Sequence, residues 1–299
     1  MKNKRFSGIM PAMITPIHAD GTLRAESAAK LIDWELTKGI QGFYINGSTG
    51  EGPVLGEKTR MEMAELSVAK TKGRGVVINH VGAPDTNTAI RLAKHAYEIG
   101  CDAISSVVPN FYYTYSDDEI IDYYKMLSDA CPLPLLVYAT GLIKTSDVRG
   151  FIDRVMKEVP TAIGLKYTMP NYYQMHRICE LNGGDINVIN GPDEMLICGL
   201  TMGADGGIGS TYNLMPDWFE ELYCDFQSGK FQEAREMQFK INRVIAALLK
   251  HGCIPSVKEA LNVMGFDVGA AAIPAKVFDA ERTAALVKDL KEAGYSLER

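Results

Sequence analysis

Short apolar segments alternate along the chain with segments of helical periodicity. The apolar segments are typical of buried strands, and eight of them begin near residues 8, 42, 76, 103, 134, 162, 186 and 206. Clear helical segments lie between the first five strands, over 27–39, 57–73, 86–100 and 116–130. From residue 216 onward the pattern is helical only, over 216–228, 229–251, 255–264 and 280–294.

Continuous apolar strands that alternate with helices predict a parallel sheet covered by helices. Eight such units fit the size of a TIM barrel. A doubly wound open sheet is the alternative, but no GxGxxG motif follows the first strand. We therefore predict an α/β fold, with a TIM (β/α)8 barrel over residues 1–228 and a C-terminal helical appendage over 229–299.

Composition narrows the range of partners. The chain has 299 residues with 46% hydrophobic content, and its 31 basic and 37 acidic residues give a net charge of −6 without a basic block. A nucleic-acid partner is therefore not expected. No apolar run is long enough to span a membrane, and the start "MKNKRFSGIM" lacks the apolar core of a signal peptide. Six singly spaced cysteines without a CxxC pair favour a cytoplasmic protein.

Reactive side chains follow the predicted strands at the end where a barrel gathers its active site. Strand five ends at Tyr138 and strand six at Lys166. An amine in the low-dielectric end of a barrel is favoured in its neutral form, which is a nucleophile toward ketones. The resulting Schiff base withdraws electrons, so a neighbouring carbon–carbon bond can break or form. Tyr138 on the adjacent strand is the candidate proton shuttle.

The segment "GSTGE" (47–51) after strand two is predicted to bind a substrate carboxylate. Its glycines let backbone N–H groups approach the ligand, and Ser48 and Thr49 add hydroxyl donors. The five histidines show no HxxxH or HExxH pairing, which disfavours a metal-dependent aldolase. We expect neither a metal nor a cofactor.

Each feature also has a simpler structural explanation when it is taken alone. Lys166 could extend its amine to the barrel rim, and Tyr138 could be a core aromatic residue. Asp193 and Glu194 could be charges at a helix N-terminus. The segment "GADGGIG" (203–209) could reflect close backbone packing or a phosphate site. Their joint placement at the strand ends favours a catalytic site.

Six motifs occur in one order along the chain: "GSTGE", the "YY" after strand four, Tyr138, "GLKYT", "GPDE" and "GADGGIGSTYN". Through them the chain resembles the dihydrodipicolinate synthase and N-acetylneuraminate lyase family of class I pyruvate aldolases, along essentially its whole length. The resemblance implies a TIM barrel with a C-terminal helical segment, assembled as a homotetramer. It also implies that Lys166 forms a Schiff base with pyruvate, that Ser48 and Thr49 hold the pyruvate carboxylate, and that Tyr138 is the proton shuttle.

Within the family, "GADGGIGSTYN" is similar to the sialic acid lyase branch. The synthase branch typically has two threonines where this chain has Ser48-Thr49, and an arginine soon after the shuttle tyrosine where this chain has none before Arg149. In the lyase branch, the sugar hydroxyl groups are bound by residues that match Thr168, Gly191, Asp193, Glu194 and Ser210.

The chain departs from the lyase pattern at two places that are expected beside the substrate. The lyase commonly has Asn-Ile-Pro where this chain has Ala139-Thr140-Gly141, and Asn110 is an additional polar residue before "FYY" (111–113). The predicted function is cleavage of N-acetylneuraminate to N-acetylmannosamine and pyruvate. The alternatives are a 2-keto-3-deoxy sugar acid aldolase, a 4-hydroxy-tetrahydrodipicolinate synthase, or a module that binds pyruvate or a sugar acid without turnover.

The aromatic run "NFYYTYS" (110–116) cannot point wholly into one barrel, because side chains alternate in an extended loop. One explanation is a hydrophobic lid over the chain's own site. The resemblance implies instead that Tyr112, or less favourably Tyr113, crosses a dimer interface and extends the proton relay of the neighbour's Tyr138.

Overall fold

The computed structural model describes residues 6–298 and shows a closed eight-stranded barrel. The expectation about a signal peptide rests partly on residues 1–5, which lie outside the described residues. The strands are β1 (Gly8–Pro11), β2 (Gly42–Ile45), β3 (Val76–His80), β4 (Ala103–Val107), β5 (Leu135–Ala139), β6 (Ala162–Tyr167), β7 (Asn187–Asn190) and β8 (Gly206–Gly209). Neighbouring strands are parallel, and β1 pairs with β8. The barrel is closed between β1 and β2 by a bridge from Ala12 to Tyr44.

Helices follow the strands around the outside of the barrel. They are α1 (Ala25–Leu36), α2 (Glu57–Thr71), α3 (Thr86–Glu98), α4 (Asp117–Ala130), α5 (Val148–Glu158), α6 (Tyr172–Cys179), α7 (Leu196–Thr201) and α8 (Pro216–Gln227). Polar side chains cap the starts of several of them, as at Asp85, and Ser116 forms a capping box with Glu119. The predicted TIM barrel is confirmed, and the predicted elements differ from the observed ones by a few residues at their ends.

Two apolar layers hold the barrel together. Side chains that point inward, among them Met10, Tyr44 and Ile208, fill the interior, whereas a larger cluster packs between the strands and the surrounding helices. The inner layer makes the barrel a packed core and not a pore.

Three further helices complete the chain: α9 (Phe231–His251), α10 (Cys253–Val263) and α11 (Ala280–Glu292). Buried residues of α9 and α10 belong to the same apolar cluster as the barrel helices. Among residues 6–298, no helix is both long and apolar enough to cross a membrane.

Candidate active site

Lys166 and Tyr138 are direct neighbours at the carboxyl end of the sheet. The parallel register of β5 and β6 places Tyr138 opposite Lys166. Both side chains are buried, with 6% of Tyr138 and 4% of Lys166 exposed. The sequence prediction that a lysine and a tyrosine meet at one strand edge is consistent with this geometry.

The Lys166 amine lies between two aromatic rings. Its Nζ is 4.4 Å from the ring centre of Tyr138 and 4.6 Å from that of Tyr44. The Tyr44 hydroxyl donates to Ser105 Oγ at 3.0 Å, so this ring is fixed in the barrel interior. In the part of the chain that the structure describes, no carboxylate forms an ion pair with Lys166. The ring faces therefore take the place of a counter-ion for an otherwise costly buried amine.

The surroundings of Tyr138 favour its ionised form. Burial raises the pKa of Tyr138, but the charge of Lys166 and hydrogen bonds with Ser48, Thr168 and Lys166 more than compensate, so the net pKa is lowered. A phenol with a lowered pKa gives up and regains a proton more readily near neutral pH. Tyr138 is therefore suited to proton transfer beside the amine.

Ser48 and Thr49 lie in the turn that follows β2. Thr49 is buried, and its Oγ1 lies 2.6 Å from Ser210 Oγ at the end of β8. Thr15 holds this turn in place, because its hydroxyl donates to the carbonyl of Gly50 at 2.6 Å. Two hydroxyl groups from different strands thus converge with the backbone of a glycine-containing turn, an arrangement that can bind a carboxylate.

Thr168 and Gly191 depend on each other. A Cβ atom at position 191 would lie 1.9 Å from Thr168 Oγ1, so only glycine leaves room for that hydroxyl. Thr168 Oγ1 is buried, and apart from the Tyr138 phenol it has no hydrogen-bond partner among residues 6–298. It is therefore available to a ligand as well as to the nearby Tyr138 phenol.

Asp193 is held in a fixed orientation at the same end of the barrel. Its Oδ2 accepts hydrogen bonds from the backbone N–H and the hydroxyl of Thr211, both at 2.7 Å. Burial raises the pKa of Asp193, and the bonds from Thr211 and the charge of Lys166 counteract only part of this. A Cβ atom at Gly209 would lie 2.2 Å from Asp193 Oδ1, so a glycine again makes room for a site residue.

A cavity of about 590 Å³ lies beside the carboxyl ends of β6, β7 and β8. Its lining includes all five residues that were predicted to bind sugar hydroxyl groups: Thr168, Gly191, Asp193, Glu194 and Ser210. Glu194 is exposed, and Cys253 from the start of α10 also lines the cavity. Burial raises the pKa of Cys253 to about 12, so this thiol is not a nucleophile here. A second cavity, of about 660 Å³ between residues 17–24 and 270–277, contains none of the predicted site residues.

The Asn110 side chain forms hydrogen bonds with backbone groups and does not line the 590 Å³ cavity. Its Nδ2 donates to the carbonyl of Leu142 at 2.9 Å, and its Oδ1 accepts from the N–H of Tyr115 at 3.0 Å. Asn110, at which the chain differs from the lyase pattern, therefore joins the loop after β4 to the loop after β5. Within the second loop, Thr140 Oγ1 accepts from the N–H of Leu142 at 3.2 Å.

The aromatic run after β4 lies on the surface of the single chain. Tyr112 is 89% exposed and Tyr113 is 66% exposed, and the two rings are in contact at 5.1 Å between centres. Exposed aromatic residues of this size are typical of interfaces.

Sequence reasoning missed two residues that shape the site. Tyr44 was counted as part of an apolar strand, and its contact with Lys166 depends on the barrel register. His80 is fully buried, and its Nε2 accepts from the N–H of Val107 while its Nδ1 donates to the carbonyl of Asn46. Burial and the charge of Arg60 lower the pKa of His80 to about 3, so it is a neutral brace beside the Tyr138 ring. The only available signal was a polar residue at the end of a predicted strand.

Comparison with known proteins agrees with this geometry. The family model described as the dihydrodipicolinate synthetase family matches residues 5–293. A curated relative, the N-acetylneuraminate lyase of Rhizobium meliloti (strain 1021), is 36% identical over 285 residues, which cover 94% of this chain and 93% of that protein.

Two solved structures share the fold over almost the whole chain. N-acetylneuraminate lyase from Proteus mirabilis is 28% identical with a TM-score of 0.91, and the match covers 97% of this chain and 99% of that one. A sialic acid aldolase from Ruminococcus gnavus, solved as a catalytic lysine mutant, is 26% identical with a TM-score of 0.92 and 98% coverage of both chains.

Proposed function

Because the chain belongs to the dihydrodipicolinate synthetase family, we propose that it cleaves N-acetylneuraminate to N-acetylmannosamine and pyruvate by way of a lysine Schiff base. It is a carbon–carbon lyase of the oxo-acid class. The observation that carries the proposal is the contact between the Lys166 amine and Tyr138 at the mouth of the barrel. Lyases of this name are the relatives to which the chain is similar.

Lys166 supplies the electron sink. Its neutral amine adds to the C2 carbonyl of the open-chain substrate, and loss of water from the carbinolamine leaves an iminium. The electrons of the C3–C4 bond then move to the iminium and form an enamine of pyruvate, while C4 becomes the aldehyde carbon. The enamine then takes up at C3 the proton lost by the C4 hydroxyl, and water adds to the resulting iminium, which releases pyruvate and restores the amine, so no cofactor is required.

Tyr138 moves the proton in both halves of the cleavage. The phenol donates its proton to the hydroxyl group that leaves the carbinolamine as water. The phenolate then accepts the proton of the C4 hydroxyl as the C3–C4 bond breaks. The lowered pKa of Tyr138 supports this role because it stabilises the phenolate between the two transfers.

Binding is divided between two groups of residues. Ser48 and Thr49, with the backbone of their turn, hold the carboxylate next to Lys166. The hydroxyl-rich chain of the sugar lies in the cavity lined by Thr168, Gly191, Asp193, Glu194 and Ser210. The fixed Asp193 carboxylate, with Oδ2 held by Thr211, supports this assignment because it can accept from sugar hydroxyl groups without losing its orientation.

We expect purified protein to release pyruvate from N-acetylneuraminate faster than from other 2-keto-3-deoxy sugar acids. The measurement is a coupled assay for pyruvate over a panel of these acids, with pyruvate and aspartate semialdehyde as a separate pair for the synthase reaction. Faster turnover of another acid would be compatible with the Schiff-base mechanism, but it would contradict the proposal that the aldehyde product is N-acetylmannosamine. Ligand binding without turnover of any substrate would contradict the enzymatic proposal.

The proposed assembly is a homotetramer, in which each subunit uses two surfaces. One surface is the aromatic run with Tyr112. The other is supported by exposed apolar side chains on α9, where Phe231 is 60% and Phe239 is 56% exposed. The cytoplasmic location that we propose is supported by the six singly spaced cysteines, which form no CxxC pair.

Mixing two inactive variants tests whether Tyr112 serves the neighbouring subunit. Lys166→Ala and Tyr112→Phe are each expected to be inactive or nearly so, and subunit exchange between them should partly restore activity. A mixed dimer forms one site that contains both native residues, which explains the recovery. Tyr113→Phe is the matched control and should keep its activity. Proven subunit exchange without recovery would assign Tyr112 to its own chain.

A further inference from the structure

A buried ion pair joins the C-terminal helices to the turn after β2. Lys258 on α10 is fully buried, and its Nζ lies 2.5 Å from Glu51 Oε2. The side chains of Lys258 and Glu51 are only 1% and 10% exposed. Lys258 Nζ also donates to the carbonyl of Ala270 at 3.1 Å. The two charged residues are far apart in the sequence, so this contact exists only in the folded barrel.

Glu51 is the last residue of the segment "GSTGE" and closes its turn. Its backbone N–H donates to the carbonyl of Ser48 at 3.1 Å. Its φ is 57°, in the left-handed region that a residue with a side chain adopts at a cost. Its second carboxylate oxygen accepts from the N–H of Ala272 at 2.6 Å. The side chain is thus held from both sides while the backbone stays in an unfavourable conformation.

Stability alone is a weak reason for such a pair. Two buried charges lose their hydration, and apolar replacements of similar size are often neutral or stabilising. Burial lowers the pKa of Lys258 even though Glu51 opposes the shift, so desolvation exceeds the gain from the pair. The pair instead fixes the position of Glu51. Because Glu51 is only two residues from Thr49, the turn that contains both is fixed as well.

We propose that Lys258 is a positioning residue, which holds the turn of residues 47–51 through Glu51 and so sets the affinity for the substrate carboxylate. This rests on the proposed function, in which Ser48 and Thr49 bind that carboxylate. The C-terminal helices are then part of the machinery for binding the 2-oxo acid. The C-terminal helices also hold the backbone beside the sugar cavity, because Gln238 on α9 donates to the carbonyl of Asp193 at 3.2 Å.

The test uses Lys258→Met, Glu51→Gln and the double variant, with pyruvate and borohydride as the probe. Inactivation is followed over a range of pyruvate concentrations, and thermal unfolding is measured in parallel. Each single variant should raise the half-saturating pyruvate concentration on the order of tenfold, as expected for losing one charge-assisted contact. The inactivation rate at saturation should stay close to that of the unmodified protein, because the reacting groups are untouched.

The double variant separates positioning from stability. It contains no unpaired buried charge, so its unfolding temperature should recover toward that of the unmodified protein, whereas its half-saturating pyruvate concentration should stay raised. Recovery of both quantities would overturn the proposal, as would single variants with normal half-saturation. If Lys258→Met does not fold, the double variant and Glu51→Gln decide the question by the same criteria.

Asp267→Asn is the matched control. Asp267 pairs with Arg24 at 2.6 Å and ties down the same C-terminal segment, but its side chain is 77% exposed. This variant should leave the half-saturating pyruvate concentration unchanged. A failure of the proposed Schiff-base mechanism is visible separately, because the unmodified protein would then show no pyruvate adduct on Lys166.

Discussion

Lys166→Ala is expected to reduce the cleavage rate on the order of 10⁴-fold or more, the scale of loss seen when a catalytic nucleophile is removed. The substitution takes away the atom that forms the Schiff base, and no described lysine other than Lys166 lies against Tyr44 and Tyr138. Substrate binding should survive in part, because the carboxylate turn and the sugar cavity are intact. The measurement is pyruvate release together with binding of pyruvate by calorimetry.

Borohydride trapping gives the covalent counterpart of this result. Incubation with pyruvate and borohydride should inactivate the protein and leave one reduced pyruvyl adduct on Lys166, located by peptide mass spectrometry. Lys144→Ala is a suitable control, because this exposed lysine lies in the loop after β5 and donates to the carbonyl of Gly141. EDTA should not change the activity, since the iminium withdraws the electrons. An adduct on a different lysine would contradict the mechanism.

Tyr138→Phe is expected to lower kcat on the order of 10²-fold or more, the usual effect of losing a positioned proton-transfer group. The ring and its packing against Lys166 remain, so the Schiff base should still form slowly. Thr49→Ala is the matched control in the turn that is proposed to bind the carboxylate, and it should mainly raise KM. Near-normal turnover of Tyr138→Phe would remove Tyr138 from the proton relay.

The pH profile gives a second measure of the same residue. The first proton transfer needs the neutral phenol, and the pKa of Tyr138 is lowered from its ordinary value of 10.0 by Lys166 and the neighbouring hydroxyl groups. The unmodified protein should therefore lose kcat on the alkaline side at a lower pH than an ordinary tyrosine would give. This alkaline decrease should disappear in Tyr138→Phe. An unchanged alkaline limb in the variant would assign it to another group.

The barrel could be predicted from the sequence because its strands are short apolar runs that alternate with amphipathic helices. The proximity of Lys166 and Tyr138 could be predicted for the same reason, since consecutive parallel strands end at one edge. Both inferences need only the order of the elements and not their detailed register.

Contacts across the barrel could not be predicted in this way. The Tyr44 ring meets Lys166 because the barrel closes with one particular register, and Thr211 holds Asp193 through a short turn whose geometry is not encoded in any periodicity. The pair of Lys258 and Glu51 could not be predicted from any local sequence pattern, because it joins α10 to the turn after β2. Asn110 was expected beside the substrate from its position alone, and its two hydrogen bonds to backbone could not be predicted from that position.

The hydrogen bonds of Asn110 have a consequence for engineering the choice of aldehyde. Because this side chain ties the loop after β4 to the carbonyl of Leu142, the two loops form one exchangeable unit. A foreign sequence at 139–142 that changed the backbone path would move the carbonyl of residue 142 and leave the buried Asn110 amide unsatisfied on one side. A chimaera that carries both loops from the same donor should retain its expression level and acquire the donor's aldehyde preference, whereas either loop by itself should yield poorly folded protein.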